Sequence, residues 1–373
     1  MEYQRCKRCV MDNSSDTTIL FDENGFCNYC AEALKNKEIV YFPNKEGEYH
    51  LNTLLKKLKE EGKNKQYDCL MGISGGLDSS YLAYLGHQWG LRILAIHIDD
   101  GFDTDVAKEN IRKLCETCRI ELITIKLDTE QFNDLTKAFI LAEVSNIVVP
   151  QDNILFSTLV SYARKYKIHS FLSGGNFALE CILQKAAGDV VNAYDVSYIR
   201  DIHHKFGSLP VDKLKITSNV NRLRYRYLWG IHTYRPLNFI DYNRTKAIRE
   251  LKEFCDFNYY ELKHCENSLT KVAQLYWLVK KFNYDKRTSH LSSMIVSGQM
   301  TREEALLELD KPLYDEALME QDIKFVLARL KLSREQFDEI VNRPGKSQTE
   351  YKTSLGYKIV SRYLKRTIVK FKG

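Results

Sequence analysis

Hydrophobic and polar residues alternate in two different periods along the middle of the chain. Apolar runs that are typical of buried strands lie at 68–74, 91–99, 120–127 and 168–174. Amphipathic patterns between these runs predict helices at about 78–89, 105–118, 129–145 and 153–166. Strands that alternate with helices of this length predict an α/β fold, in which a parallel twisted sheet carries helices on both faces.

The pattern changes after this region. Residues 185–245 are aromatic and basic, and they show no period that identifies an element. From 245 to 343 the pattern is mostly helical, and Thr301 and Ser333 precede acidic residues as helix N-caps. Residues 346–373 predict a basic amphipathic tail, which either docks on its own domain or contacts a partner or a membrane surface.

Charge is unevenly distributed along the chain. The 373 residues carry a net charge of +6, but residues 346–373 hold eight Lys or Arg and one Glu, which leaves the rest near neutral. We therefore expect no nucleic-acid-binding face on the body of the protein. No apolar stretch reaches the ~18 residues that a membrane span needs, and the N-terminus has no signal-peptide core. We expect a cytoplasmic protein, whose cysteines stay reduced.

A glycine-rich loop joins the first predicted strand to the first predicted helix. Its sequence is SGGLDSS, which supplies Ser74, Gly75, Gly76, Asp78, Ser79 and Ser80. Glycines let successive N–H groups point into one hollow, and the helix N-terminus adds its dipole, so the loop predicts a polyphosphate site. The Gly-Lys-Ser/Thr ending of a Walker loop is absent, which favours release of pyrophosphate, with Asp78 holding Mg²⁺. The alternative is an ordinary strand-to-helix turn.

Two further polar loops follow other predicted strands and would lie at the same edge of the sheet. The segment IHIDDGFD at 96–103 contributes His97 and Asp99, although Asp-Asp-Gly is also a common turn. The segment LSGGNFALE at 172–180 is a second Ser-Gly-Gly turn. It either contacts the same polyanion from the other side or is a plain turn.

Four cysteines near the N-terminus form two Cys-x-x-Cys pairs, Cys6 with Cys9 and Cys27 with Cys30. The distance between the pairs along the sequence is typical of a Cys₄ zinc site. Four sulfur ligands leave no open position for water, so the predicted zinc is structural. Unrelated thiols are the alternative.

The loop resembles the PP-loop of N-type ATP pyrophosphatases, and longer stretches resemble a narrower family. The stretches are QRCKRCVMD, GFCNYC, KNKQYDCLMGISGGLDSSYL, LSGGNFALE, KHCENSLTK and FNYDKRTSHLSSMIVSGQMTREEAL, in this order. Together they resemble the bacterial N-acetyl sugar amidotransferases of surface-polysaccharide and pseudaminic-type flagellin-glycan pathways, from the start to about residue 340. The chain departs from the family pattern at Asp100, where the family has Asn, and at Cys265 and Lys271.

The resemblance implies an ATP-dependent, AMP-forming amidotransferase. ATP would adenylate the oxygen of a sugar N-acetyl group and release pyrophosphate, and ammonia would then displace AMP to give an acetamidino sugar. The protein's part would be to orient the groups and to stabilise phosphate charge. The resemblance also implies that a separate glutaminase with a cyclase-like partner supplies the ammonia, and this chain shows no glutaminase nucleophile.

The resemblance assigns roles to residues by their position. Contacts with ATP phosphates, Mg²⁺ or adenosine are expected from Ser74, Gly75, Gly76, Asp78, Ser79, Ser80, His97, Asp99, Gly174 and Gly175. The catalytic candidates are Asp78, Ser79 and Asn176. Contacts with an anionic N-acetylated sugar are expected from Glu180, Lys263, His264, Glu266, Lys286, Arg287 and His290. A solvated helical face is the alternative for the basic members of this last group.

These assignments divide the chain into five predicted regions. They are a zinc ribbon at 1–35, a charged helical linker at 36–66, a PP-loop domain at 67–245, a helical substrate or partner domain at 246–345 and a basic tail at 346–373.

Two rival functions remain open. One is a PP-loop tRNA thiolase, in which Cys115, Cys118 and Cys181 would hold an iron–sulfur cluster. Small helix-face residues are the simpler interpretation of Cys115 and Cys118. The other rival is a non-catalytic module that binds zinc and a nucleotide.

Overall fold

A five-stranded parallel sheet lies at the centre of the computed structural model, with the strand order β3-β2-β1-β4-β5. The strands are Cys69–Gly72 (β1), Ile93–Asp99 (β2), Glu121–Lys126 (β3), Ser170–Leu172 (β4) and His232–Tyr234 (β5). The structure describes residues 2–14, 16, 18–184, 192–259 and 266–354. The first four strands fall within the predicted apolar runs, and the predicted fold class is confirmed.

Helices precede the sheet, alternate with its strands and form the C-terminal region. The first ten are Asn28–Val40 (α1), Lys45–Gly62 (α2), Leu77–Gln88 (α3), Asp105–Cys118 (α4), Thr129–Leu141 (α5), Val149–Lys165 (α6), Phe177–Glu180 (α7), Val196–Phe206 (α8), Asn219–Tyr227 (α9) and Arg244–Cys255 (α10). The later ones are Ser268–Lys271 (α11), Leu278–Phe282 (α12), Arg287–Ser297 (α13), Arg302–Asp310 (α14), Glu316–Leu330 (α15) and Arg334–Asn342 (α16). A π-helical segment, Val272–Trp277, joins α11 to α12. Among the described residues, none of these helices is both long and apolar enough to cross a membrane.

The two faces of β1 are covered by different helices. Cys69 and Met71 belong to the hydrophobic cluster that contains buried residues of α3, α4 and α10. Leu70 points the other way and packs in the cluster of Leu159 and Ala163 on α6. Successive side chains of a strand point to opposite faces of the sheet. A continuous apolar run is therefore expected where helices cover both faces, as they do in the middle of a doubly wound sheet.

The strand order reverses between β1 and β4. Met71 pairs with Ala95 of β2 on one side and with Leu172 of β4 on the other. In open parallel sheets, ligands bind beyond the carboxyl ends of the strands at such a switch point. The glycine-rich turns after β1 and β4 therefore start side by side.

Several local predictions need correction. Helix α5 ends at Leu141 and not near 145, and α6 begins at Val149, where Pro150 occupies the first turn and fits a helix start. The aromatic and basic segment 185–245 contains α8, α9 and β5, which the sequence did not identify. The predicted N-caps Thr301 and Ser333 are confirmed, and each forms a reciprocal capping box.

The cysteine-rich N-terminus is better packed than its composition predicts. Cys6, Cys9 and Val10 are fully buried. The Val10 N–H donates to the hydroxyl of Ser292 on α13 at 3.2 Å, and the Arg302 guanidinium on α14 donates to the carbonyl oxygen of Cys9 at 3.2 Å. The segment therefore docks on the C-terminal helices.

Candidate functional site

A cavity of about 680 Å³ lies at the carboxyl ends of β1, β2 and β4. Ser74, His97 and Gly174 line it from the sheet side, and Gln274 and Lys286 line it from the C-terminal helical region. Its volume is in the range of ordinary ligand sites. The three predicted polar loops are thus brought together around one space.

The loop after β1 has the backbone shape of an anion cradle. Gly75 has a φ of 78°, and a Cβ at this position would lie 2.6 Å from the carbonyl oxygen of Ala107. Gly76 is the N-cap of α3 and brings no side chain to the first helical turn, whose N–H groups are the donors that an anion needs. The Ser79 hydroxyl donates to the Gly76 carbonyl oxygen and lies 3.2 Å from the Ser74 hydroxyl, which fixes the loop.

The two Ser-Gly-Gly turns are in direct contact. A Cβ at Gly174 would lie 3.0 Å from the carbonyl oxygen of Asp78 and from the amide nitrogen of Ser79. The second turn therefore packs against the first turn of α3, and a side chain at Gly174 would crowd that backbone. Glu180, at the end of α7, lines the cavity, and its carboxylate accepts the N–H of Asn176 at 3.3 Å.

Asp78 has a partner that the sequence did not indicate. The hydroxyl of Tyr242 donates to Asp78 Oδ1, and the Tyr242 ring is fully buried. Burial and then the Asp78 carboxylate raise the pKa of Tyr242 well above its ordinary value. A protonated phenol therefore orients the carboxylate that lines the cavity.

Glu266, which the sequence predicts as a sugar contact, lines the cavity beside the loop that follows β1. Its Oε1 accepts the Ser74 hydroxyl at 3.3 Å, and a Cβ at Gly76 would lie 2.7 Å from the same oxygen. The Thr104 N–H donates to the Glu266 carbonyl oxygen at 3.0 Å and holds this segment beside β2. The carboxylates of Asp78 and Glu266 both line the cavity, and oxygen ligands of this kind suit Mg²⁺.

The end of β2 contributes His97 to the cavity but not Asp99. His97 Nδ1 lies 3.0 Å from the Ile73 carbonyl oxygen, and its Nε2 lies 3.1 Å from Asp103. Burial lowers the pKa of His97, but the hydrogen bond and charge of Asp103 outweigh it, so the pKa is raised. Asp99 instead accepts the Gly101 N–H at 3.0 Å and closes the following turn.

Asp100 ties this loop to the C-terminal region. Its carboxylate accepts the Phe102 N–H at 2.9 Å, the Asn267 side chain at 3.0 Å and the Gln151 side chain at 2.5 Å. Burial, followed by the nearby Asp103, raises the pKa of Asp100 to about 6. Asp100 therefore links the end of β2 to α11 through buried hydrogen bonds, and its three donors partly compensate the burial of its carboxylate.

Three predicted site residues have other structural roles. Ser80 is fully buried, because it lies one residue past Ser79 and so faces the core side of α3. Asn176 caps α7 by accepting the Leu179 N–H at 2.9 Å, and it does not line the cavity. Arg287 lines the cavity, but its guanidinium pairs with Asp285 at 2.8 Å and donates to the Lys311 carbonyl oxygen at 2.9 Å.

The remaining sugar candidates divide into two groups. Lys286, the N-cap of α13, and His290, in its first turns, line the cavity. Lys263 and His264 lie outside the described residues.

Sequence reasoning missed a pair of polar residues at the cavity. Arg244 and Tyr259 both line it, and Arg244 Nε donates to the Tyr259 hydroxyl at 3.1 Å. The π-helical segment presents Gln274 to the same space. π-Helical turns often occur at functional sites, but no local sequence signal marks this one.

The four N-terminal cysteines form a compact, fully buried cluster. The sulfurs of Cys6 and Cys30 are 3.8 Å apart and those of Cys9 and Cys27 are 3.6 Å apart, and all four ligand atoms lie within 4.8 Å of one another. Zn–S bonds of about 2.3 Å in a tetrahedron place sulfurs ~3.8 Å apart, so the cluster fits a tetrathiolate metal site.

The other cysteines do not repeat this arrangement. Cys115 and Cys118 are buried in α4, and Cys181 donates its thiol to the Ser293 carbonyl oxygen at 3.7 Å. In the part of the chain that the structure describes, the N-terminal cluster is the one group of three or more metal-binding side chains found.

Comparison with known families matches two parts of the chain. Residues 68–178 match the family of the queuosine biosynthesis protein QueC. Residues 266–364 match the C-terminal domain of WbpG-like lipopolysaccharide biosynthesis proteins. No curated protein matches the chain significantly.

Solved structures give only distant likenesses. The NH₃-dependent NAD synthetase of Campylobacter jejuni is 15% identical, with 77% of this chain and 98% of that chain covered and a TM-score of 0.32. The NAD⁺ synthetase of Burkholderia pseudomallei is 14% identical, with 81% and 95% covered and a TM-score of 0.35. The U34-tRNA thiolase NcsA of Methanococcus maripaludis is 16% identical, with 83% and 89% covered and a TM-score of 0.32.

The site and the two family matches agree with the resemblance seen in the sequence. The QueC-like match contains the cradle after β1 and ends within α7, and the WbpG-like match begins at Glu266. The chain therefore contains a QueC-like PP-loop region at residues 68–178 and a WbpG-like C-terminal domain at residues 266–364.

Proposed function

We propose that this protein is an ATP-dependent amidotransferase that converts the N-acetyl group of an anionic sugar into an acetamidino group. ATP adenylates the acetyl oxygen and pyrophosphate leaves, and ammonia then adds to the activated carbon as AMP leaves. The observation that carries the proposal is that the PP-loop and the WbpG-like region both contribute side chains to the same cavity.

The cradle after β1 binds the outer phosphates in this proposal. The first-turn N–H groups of α3 and the close contact of Gly174 with α3 confine these phosphates at the switch point of the sheet. The α-phosphate then faces the rest of the cavity, where Lys286 and His290 line the wall. These two side chains bind the carboxylate of the sugar and orient its acetyl oxygen for attack.

Asp78 and Glu266 would hold the Mg²⁺ that accompanies ATP. When it is bound, Mg²⁺ neutralises phosphate charge and so assists departure of pyrophosphate. Tyr242 keeps one oxygen of Asp78 in place, and Ser74 does the same for Glu266. Because Glu266 comes from the C-terminal region, that region would complete the nucleotide site.

We assign zinc to the four N-terminal cysteines. The cluster is fully buried, and its sulfur distances fit tetrahedral zinc. Metal analysis of the purified protein should give a single zinc ion, and Cys6→Ser should lose it together with thermal stability. Cys69→Ser, which changes a buried cysteine of β1, is the control for loss of a thiol alone.

Ammonia would come from a separate glutaminase with a cyclase-like subunit. A purified chain supplied with ammonium salts at high pH should therefore be active alone, because free NH₃ replaces the delivered ammonia. Dependence on glutamine should appear only when the partners are added.

The reaction is tested by incubating the chain with ATP, Mg²⁺, ammonium and candidate N-acetylated uronic and nonulosonic acids. Mass spectrometry should show an acetamido sugar that exchanges one oxygen for NH, with AMP and pyrophosphate formed in equal amounts. Formation of ADP and phosphate, or intact sugars in every reaction, would refute the proposal. Asp78→Asn is the inactive control.

A further inference from the structure

A basic and partly apolar surface lies on the other side of α6 from the switch-point cavity. The charge balance of the body conceals it, because its cations are concentrated in two stretches. Residues 153–179 hold three Lys or Arg and residues 213–240 hold six, and neither stretch contains an Asp or Glu. The near-neutral net charge of the body therefore does not exclude a local basic face.

The cations of these stretches converge where α9 packs on α6. The Arg164 guanidinium lies 3.7 Å from the centre of the Trp229 ring, and Lys215 donates to the Ser161 hydroxyl at 3.2 Å. We call the group of Arg164, Lys165, Lys215, Arg224 and Arg226, together with the exposed apolar residues of α9, the basic face. All five cations are exposed.

The cations of the basic face are not neutralised by neighbouring carboxylates. Lys205 and Lys213, on adjoining segments, form ion pairs with Asp201 and Asp128. The ion pairs of the described chain include none of the five cations of the basic face. Their charge is therefore directed to solvent, where it attracts an anionic partner.

Helix α9 also exposes apolar side chains beside these cations. Val220, Tyr227 and Leu228 are 59%, 61% and 73% exposed. Val220 and Tyr227 are seven residues apart, so they lie on one face of the helix, with Arg224 and Arg226 to either side. An exposed apolar stripe between cations is the pattern of a helix that lies in the interface of an anionic bilayer.

The aromatic rings of this region favour lipid over nucleic acid as the partner. Single-stranded nucleic acids bind by stacking bases on open ring faces. Here Arg164 covers the Trp229 ring, and Tyr225 packs against Trp229 with ring centres 4.9 Å apart. The Trp229 and Tyr225 rings anchor α9 on α6, and the groups left outside are the cations and the side chains of Val220, Tyr227 and Leu228.

A polar hollow next to α9 has the right chemistry for a phosphodiester. It has a volume of about 390 Å³ and is lined by Ser157, Ser161, Arg164, Lys165 and Tyr225, among others. Arg164 and Lys165 can donate charge-assisted hydrogen bonds to the oxygens of a phosphate group, and the serine hydroxyls can donate further ones. We propose that the basic face docks the protein on the surface of membranes that contain anionic phospholipids.

The test is co-sedimentation of the full chain with phosphatidylcholine vesicles that do or do not contain phosphatidylglycerol. We expect binding only to the anionic vesicles, and we expect it to weaken as salt rises. Each arginine near an anionic surface contributes about fivefold, so Arg224→Gln with Arg226→Gln should weaken binding about 25-fold. Leu228→Asn should also weaken it, because the apolar contact is lost.

Matched variants separate this surface from the general effects of charge and of exposed apolar side chains. Arg200→Gln with Arg249→Gln changes two exposed arginines on α8 and α10, and Leu307→Asn changes a 67% exposed leucine on α14. These variants should bind as the wild type does. Equal binding to both vesicles, undiminished binding of the Arg224 and Arg226 variant, or binding to single-stranded RNA but not to vesicles would overturn the proposal.

Discussion

The Glu266 carboxylate accepts a hydrogen bond from the Ser74 hydroxyl at 3.3 Å, although the two residues are 192 positions apart. A carboxylate at the mouth of an anion cradle repels phosphates unless a cation lies between them. Under the proposed function, we therefore expect the C-terminal region to favour binding of ATP as its magnesium complex.

Glu266→Gln should change ATP binding in opposite directions with and without Mg²⁺. In EDTA the variant should bind ATP about tenfold more tightly, because the repulsion is gone. In Mg²⁺ it should bind less tightly than the wild type, because a cation ligand is gone. Isothermal titration calorimetry measures both. Glu308→Gln, a cavity residue paired with Lys311, is the control, and the same response in both buffers would contradict this role of Glu266.

Gly75→Ala should damage both stability and pyrophosphate chemistry. Gly75 and Gly298 both have positive φ, but an added Cβ meets the Ala107 backbone only at Gly75, and nothing lies within 4 Å at Gly298. Urea denaturation should therefore give about 1 kcal/mol of destabilisation for Gly298→Ala and about 3 kcal/mol for Gly75→Ala. ATP–pyrophosphate exchange should be lost only in the Gly75 variant. Equal losses of stability in the two variants would show that the clash is relieved.

Tyr242→Phe tests the support of Asp78. Tyr242 donates to Asp78, and Tyr81 donates to Glu250 at 2.9 Å, so Tyr81→Phe removes a similar hydrogen bond outside the cavity. Both variants should lose about 1 kcal/mol of unfolding free energy. The rate of ATP–pyrophosphate exchange should fall about tenfold only in Tyr242→Phe. A poorly oriented Asp78 would raise the activation free energy by about 1.4 kcal/mol, which is a factor of ten in rate. A similar rate in both variants would make Tyr242 a purely structural residue.

Asp100 gives the stability of the protein a definite pH dependence. Its pKa is raised to about 6 in the folded state, so its protonated form is favoured by folding. The contribution of Asp100 to the free energy of unfolding is fully present below pH ~4 and is lost as the pH rises to about 6. A pKa shift of about two units corresponds to a loss of ~3 kcal/mol. Urea denaturation of the wild type and of Asp100→Asn measures it. The difference between the two proteins should grow from pH 4 to 6 and stay constant above that, and a constant difference throughout would contradict it.

The sequence predicts the parts of the fold that leave local signals. Strands β1, β2 and β4 lie in apolar runs that are followed by Gly, Asp or Ser residues, and burial of most of their side chains produces that pattern. Strand β5 has three residues, and its first, His232, is exposed, so burial leaves no pattern there. Strand β5 was missed because it is short and exposed, whereas β3, the other edge strand, has six residues and was predicted.

The candidate site divides in the same way. The cradle of Ser74 to Ser79 is local, and its backbone shape follows from glycines that can be read directly. The place of Glu266 follows from tertiary contacts with Thr104, and no pattern within the sequence encodes it. Asn176 is a different case, since an Asn directly before a helix is a common N-cap and this simpler interpretation was available.

The docking of the N-terminal segment on α13 has a consequence during synthesis. Val10 contacts Ser292, which is 282 residues later, so the partner surface emerges long after the cysteines do. At ~5–20 residues per second the ribosome needs roughly 15 to 55 s to deliver it. Throughout that interval the two Cys-x-x-Cys pairs are not yet packed against α13. Early binding of a metal ion would therefore protect the four thiols of the nascent chain from oxidation. Expression under zinc starvation should therefore lower the yield of folded chain far more than chelation of the finished protein does.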